Sequence, residues 1–251
     1  MANKILVLPD IHGRKFWRSA LEKYLDEVDV VVALGDYHDP YYDYEGITYK
    51  ESLNNMREFF DFANDHTDKI IRLLGNHDLH YISDYFGDAS RYDKVNGKAV
   101  KELLHSNLKH MRLTYMDEIG DKKYLFSHAG LCKSWVEQYK EVIGELTVEN
   151  LNKLPYSREG INALAQCSKY RMFFGGSDSG SIVWSDVRER VHKPSENYDE
   201  FFQVFGQTQA SEPILMDNWA MLDCSAAFLI DNEGIKQITE DGTKILEKTK
   251  I

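Results

Sequence analysis

Short apolar runs alternate along the first half of the chain with stretches whose apolar residues return every three or four positions. Ile5–Leu8 (ILVL), Val30–Leu34 (VVVAL), Ile70–Leu74 (IIRLL) and Tyr124–Phe126 (YLF) read as strands. The early ones are continuous rather than alternating, as expected of strands covered on both faces. Between them, Phe16–Val28 and Tyr49–His66 carry helical spacing. The order β-α-β-α-β predicts an α/β fold. Leu131–Arg171 is mostly helical in pattern and sits between strands, the place of a cap insertion. After Phe201 the pattern changes. Phe201–Phe205, Ala220–Cys224, Ala226–Asp231 and Ile235–Thr239 follow one another through turns such as DNEG and EDGT, with no helix between. That predicts a meander, either added to the first sheet or forming a second one.

Polar clusters follow the first four strands at once. They are PDIHG with Asp10 and His12, GDYHDP with Asp36, His38 and Asp39, GNHDLH with Asn76, His77, Asp78 and His80, and SHAG with His128. Ligands of open α/β sheets bind at the carboxyl ends of strands, so clusters repeated there are expected to converge. Carboxylate, imidazole and amide oxygen without thiolate suit Mn²⁺, Fe or Zn²⁺ rather than a structural zinc knot. A carboxylate can bridge two cations about 3.5–4 Å apart, as hydrolytic two-metal sites require. Asp36, in the central cluster, is the candidate bridge.

The series DIHG, GDYHDP, LLGNHD and SHAGL resembles the metallophosphoesterase, or calcineurin-like phosphoesterase, superfamily. Its SHAGL form is similar to the branch holding serine/threonine phosphoprotein phosphatases and bis-nucleosyl tetraphosphatases, and VFGQT (Val204–Thr208) and MLDC look like that branch's closing motifs. The likeness spans Asp10 to about Asp223, and its motifs are specific jointly. It implies a four-layer α/β/β/α sandwich with a helical cap at about 131–171, and two divalent cations, Mn²⁺ foremost, with Fe, Zn²⁺ or Mg²⁺ as alternatives. By analogy Asp10, His12 and Asp36 hold the first cation, and Asp36, Asn76 and His128 the second. A bridging hydroxide then attacks phosphorus, and His77 protonates the leaving oxygen. In the family the carboxylate that orients this histidine is Asp39; Asp78, next to His77 in sequence, is the alternative.

Two positions depart from the family pattern. Its last ligand is a histidine, where this chain has Gln207, a neutral and weaker donor; His192 upstream is the alternative source of an imidazole. Protein phosphatases usually carry an arginine where Pro40 stands, a fork that clamps phosphate. Arg171 (YRMFFGG) and Arg188 (WSDVRER) are the candidates to replace it. His38 and His80 match no ligand position and read as packed or solvated histidines. The tyrosine-rich loop Pro40–Tyr49 reads as a stacking platform for a nucleobase, a partner surface or a loop folded over itself. GGSDSGS (Gly175–Ser181) lacks the lysine and spacing of a P-loop and reads as a loop near the cap.

Composition narrows the picture further. The 251 residues, without a Pro/Ser/Gly-rich linker or internal repeat, predict one domain over 1–251. A net charge of −11 argues against tracking a nucleic-acid backbone. Cys132, Cys167 and Cys224 form no CxxC pair, which suits a reduced cytoplasm. There is neither a leader-like start nor an apolar run near the ~20 residues that cross a bilayer. The expectation is a cytoplasmic, metal-dependent phosphoesterase acting on phosphomonoesters, with a phosphoprotein or a nucleotide as its partner. The alternatives are a nucleotide or dinucleoside polyphosphate hydrolase of the same branch, or a non-catalytic metal-binding module.

Overall fold

The computed structural model describes residues 2–86, 90–172 and 175–250. In chain order the strands are β1 (Lys4–Leu8), β2 (Val30–Ala33), β3 (Ile70–Leu73), β4 (Met111–Arg112), β5 (Thr114–Ile119) and β6 (Lys122–Ser127). They continue with β7 (Phe202–Phe205), β8 (Ile214–Leu215), β9 (Trp219–Met221), β10 (Phe228–Asp231), β11 (Gly234–Thr239) and β12 (Gly242–Ile245). Ten α-helices accompany them among the described residues, so the α/β class expected from the alternation is the one observed. The chain divides into two compact units, Ala2–Arg112 with Ser225–Ile245, and Leu113–Cys224 with Leu246 onward.

The first unit holds a seven-stranded sheet in the order β12-β11-β10-β1-β2-β3-β4. Strands β1, β2, β3 and β4 run parallel, while β10 pairs antiparallel with β1 and continues into the β11 and β12 hairpins. Continuous apolar sequence is what a central parallel strand requires, and Ile5–Leu8, Val31–Ala33 and Leu73 are fully buried. The helices Phe16–Tyr24 and Tyr49–Asp65 supply an aromatic cluster. Trp17 meets Phe59 edge-on at 5.2 Å, and Tyr37, just beyond β2, stacks on Phe59 at 5.5 Å. The second of these helices is started by Thr48, whose hydroxyl accepts from the Glu51 N–H while Glu51 reaches back to the Thr48 N–H.

The second unit holds a five-stranded sheet in the order β5-β6-β7-β9-β8. The C-terminal meander therefore divides: β7 and β9 run parallel to β6 in this sheet, while β10 to β12 extend the first. Within 131–171 the expected helical character is present in short pieces, Lys133–Gln138, Lys140–Ile143, Val148–Lys153 and Arg158–Leu164. Gly144 at φ +69° and a 3₁₀ turn through Pro155 interrupt them. Residues 165–171 run in turns, bridged through Ser168 to Ser177. No helix among the described residues is long and apolar enough to cross a membrane.

Candidate functional site

Because β1, β2 and β3 are parallel neighbours, their carboxyl ends fall on one edge of the sheet, and Asp10, Asp36 and Asn76 follow them there. Carboxylate oxygens of Asp10 and Asp36 lie within 4.8 Å of each other, and both residues are buried. His12 Nδ1 donates to the His38 carbonyl at 2.8 Å, which turns Nε2 toward Asp36 Oδ2 at 3.4 Å. Burial holds the His12 imidazolium well below its ordinary pKa, against the Asp36 charge and with the help of His77, Arg91 and Arg14. A neutral His12 presents a lone pair, not a proton, to the Asp36 carboxylate. Two acceptors facing one another in a dry site suit a cation between them, so these residues fit the metal that their chemistry suggests.

Glycine is required beside Asp36. A Cβ on Gly75 would stand 2.1 Å from Asp36 Oδ1 and 2.7 Å from the Asp36 amide nitrogen. The same carboxylate oxygen accepts from the His77 N–H at 3.0 Å. Asp78 ties these loops together. Its carboxylate accepts from the amides of Gly75 and Asp36 at 2.8 Å and of Tyr37 at 3.2 Å. Burial and the Asp36 charge raise the Asp78 pKa, and the three backbone donors oppose that rise.

Of the two carboxylates considered for orienting His77, Asp39 is the one in contact: His77 Nδ1 lies 2.7 Å from Asp39 Oδ2. The other Asp39 oxygen accepts from the Tyr81 hydroxyl at 2.5 Å. Burial and the Asp39 charge hold that hydroxyl above its ordinary pKa, so it stays a donor. Tyr81 in turn accepts from the Asp93 N–H, and Asp93 Oδ2 meets His38 Nε2 at 3.1 Å. His38 is thus a packed histidine, with its ring on Asp93 and its carbonyl on His12. His80 is buried too, with its ring centroid 6.2 Å from that of His77.

Arg91 was not among the sequence candidates, yet its Nη2 reaches His77 Nε2 at 3.2 Å and its Nε donates to the Asp39 carbonyl at 3.1 Å. Nothing in its local sequence marks it, because its partners lie 14 and 52 positions away. In the loop Pro40–Tyr49, a single helical turn (Tyr42–Glu45) is held by Glu45, which accepts from Arg14 Nε and Nη2. Tyr42 and Tyr44 remain exposed, at 56% and 88%.

In the second unit His128 follows β6 and is fully buried. Its Nε2 lies 2.8 Å from Gln207 Oε1, and Gln207 Nε2 donates to the Val183 carbonyl at 3.2 Å. The Val183 bond fixes the amide so that its oxygen faces the imidazole. Arg171 Nη2 donates to the Gln207 carbonyl and to Thr208 Oγ1, each at 2.8 Å, and its Nε lies 3.4 Å from Asp186. Arg188 grips the two Asp186 oxygens at 2.7 and 3.0 Å and also donates to the Tyr170 carbonyl. Both arginines offered for the phosphate fork are therefore engaged on protein groups. His192 stacks on Tyr170 at 5.9 Å. In GGSDSGS, the Gly180 N–H donates to the Glu189 carboxylate and Ser181 Oγ to the Leu164 carbonyl, so that loop is pinned by protein contacts. Burial pushes the Cys132 thiol up to about 12 and the Cys167 thiol up to about 11, so neither is a thiolate nucleophile near neutral pH.

The sequence profile described as calcineurin-like phosphoesterase matches residues 3–166, well over half the chain. The chain belongs to that family. Its members are metal-dependent hydrolases of phosphoric esters, and this phosphoesterase is an enzyme of that kind. No curated protein sequence matches it. A cold-active protein tyrosine phosphatase superposes with a TM-score of 0.60 at 19% identity, covering 99% of this chain and 80% of that one. A serine/threonine phosphatase from Saccharomyces cerevisiae, with similarity to human phosphatase PP5, gives 0.52 at 12% identity, covering 99% and 82%. At these identities the likeness is one of fold. The phosphoesterase carries a candidate metal site that includes Asp10 and Asp36.

Proposed function

We propose that this phosphoesterase hydrolyses phosphate monoesters, in the manner of a serine/threonine protein phosphatase, with His77 as the general acid. The observation that carries the reading is the 2.7 Å contact between His77 Nδ1 and Asp39, on the same strand edge as His12 and Asp36. Holding Nδ1–H on a carboxylate fixes the ring orientation and faces Nε2 into the site, the atom from which a protonated ring gives its proton to the departing oxygen. In this reading Asp10, His12 and Asp36 hold one divalent cation, and Asp36, Asn76, His128 and Gln207 the other, with Mn²⁺ the favoured ion. When bound, the cations supply charge for the phosphoryl oxygens and acidity to water. The residues do the rest: Asp39 orients, His77 delivers the proton, and the buried walls exclude bulk water. Three free cysteines suit a reducing compartment, and the reading assigns the enzyme to the cytoplasm.

One observation favours a second substrate class. Tyr42 and Tyr44 are exposed in the loop that leaves Asp39, where aromatic faces can stack on a nucleobase, as in nucleotide or dinucleoside polyphosphate hydrolysis. Incubating the protein with Mn²⁺, Fe, Zn²⁺ or Mg²⁺ and p-nitrophenyl phosphate tests the main reading. Phosphoserine peptides and a dinucleoside tetraphosphate, assayed in parallel, separate the classes. Turnover of the tetraphosphate alone selects the second, and no turnover with any metal overturns both.

A further inference from the structure

We propose that Arg91 binds the phosphoryl group of the substrate, a role the proposed monoesterase reading leaves without a residue. The guanidinium is fixed by two anchors on different sides. Its carbon lies 3.6 Å from the Tyr41 ring centroid, and its Nε donates to the Asp39 carbonyl at 3.1 Å. Stacked and bonded in this way, the fork has little rotamer freedom left to lose on binding. Its Nη2 then points at His77 Nε2, 3.2 Å away. One oxygen can sit at hydrogen-bond distance from both nitrogens at once, since about 2.8 Å to each closes a triangle on a 3.2 Å base. An oxygen that reaches the His77 nitrogen is therefore also within reach of a permanent positive charge. The ligand this geometry suits is an anion with several oxygens on one centre, a phosphate monoester or free phosphate.

A second, independent observation sets Arg91 with the site residues. Six non-glycine residues among those described have positive φ: His12, Asp36, Asp39, Arg91, Gln207 and Ser225. Four of them are candidate site residues on other grounds, and Arg91, at φ +63°, joins them. A long side chain seldom adopts that backbone unless its surroundings hold it there, and such positions gather where function requires the geometry. The rival arginines bind Asp186, as described above, whereas the anchors of Arg91 occupy one face of its guanidinium and its Nε edge.

The test uses the Mn²⁺-loaded protein with Arg91→Ala and Arg91→Lys, reading KM and kcat for p-nitrophenyl phosphate and, by calorimetry, the affinity for inorganic phosphate. Arg91→Ala is expected to weaken phosphate binding about ten- to hundredfold, the effect of losing a charge-assisted hydrogen bond. KM should rise by more than kcat falls, and Arg91→Lys should recover part of the loss. A residue that only braces the Tyr41 loop would lower kcat and leave phosphate affinity where it was, and that result overturns the proposal. So does a wild-type protein that binds no phosphate. If the wild type binds phosphate through Arg91 yet turns over no aryl phosphate, the hydrolytic reading fails and this one stands.

Discussion

The strand ends of the two units solve the same problem differently. In the first unit His12 and His77 each commit one nitrogen to a neighbour, the His38 carbonyl and Asp39, and turn the other toward a charged group, Asp36 at 3.4 Å and Arg91 at 3.2 Å. In the second unit His128 Nε2 faces the Gln207 amide oxygen at 2.8 Å, a neutral partner. The first arrangement turns charged groups toward its imidazoles, whereas the second pairs an imidazole with a neutral amide. Residue types alone do not separate the two; what their remaining atoms are bonded to does.

Breaking the first arrangement should have the largest effect. His77→Ala is expected to lower kcat about 10²–10⁴-fold toward substrates with poor leaving groups, with metal content by mass spectrometry unchanged. Full activity in that variant would remove the acid role. Asp39→Asn leaves the shape but unsettles the tautomer, and kcat should fall about 10–100-fold. Gly75→Ala drives a methyl group into Asp36 and should cost about 1–3 kcal/mol in denaturant unfolding, with metal retention lost as well. The second unit responds in the opposite sense. Gln207→His should tighten Zn²⁺ binding about tenfold, measured by competition with a chromogenic chelator.

The smallest effect concerns acid. Burial pushes the Asp186 pKa up, but the hydrogen bonds from Arg188 and the Arg171 charge outweigh it and leave the carboxylate below its ordinary 3.8. A carboxylate depressed in the folded state adds stability above 3.8, and that contribution disappears as pH falls through the folded value. Arg188→Ala should therefore lose less stability on acidification below pH 4 than the parent, read as melting temperature against pH. Equal slopes would show that the pair adds nothing.

Much of the first arrangement was readable in the sequence, because a strand followed at once by Asp-x-His or Gly-Asn-His fixes both residue type and place. The eight expected strands are all present, with ends shifted by one to three residues, as for Ala220–Cys224, observed as Trp219–Met221. Strand β5 escaped notice, since TYMDEI is half-exposed and shares no continuous apolar run with its neighbours. The helix Gly97–Asn107 was also missed. Asp78 read as the alternative partner of His77, and its actual use, bonding three backbone amides, depends on a loop 41 residues away. Arg91, Tyr81 and Asp93 were invisible for the same reason. Their roles come from contacts between distant segments, which leave no period and no spacing in the chain.

The left-handed backbone at His12, Asp36, Asp39, Gln207 and Arg91 carries a consequence for how this protein could be improved. Each such residue holds its native conformation at about 1–2 kcal/mol above what glycine would require. Selection for thermal tolerance alone would find glycine attractive at these positions and would discard the side chains to which the proposed reading gives substrate and cations. On that reading a hardier variant obtained that way is a silent one, and an engineering route has to seek its stability elsewhere.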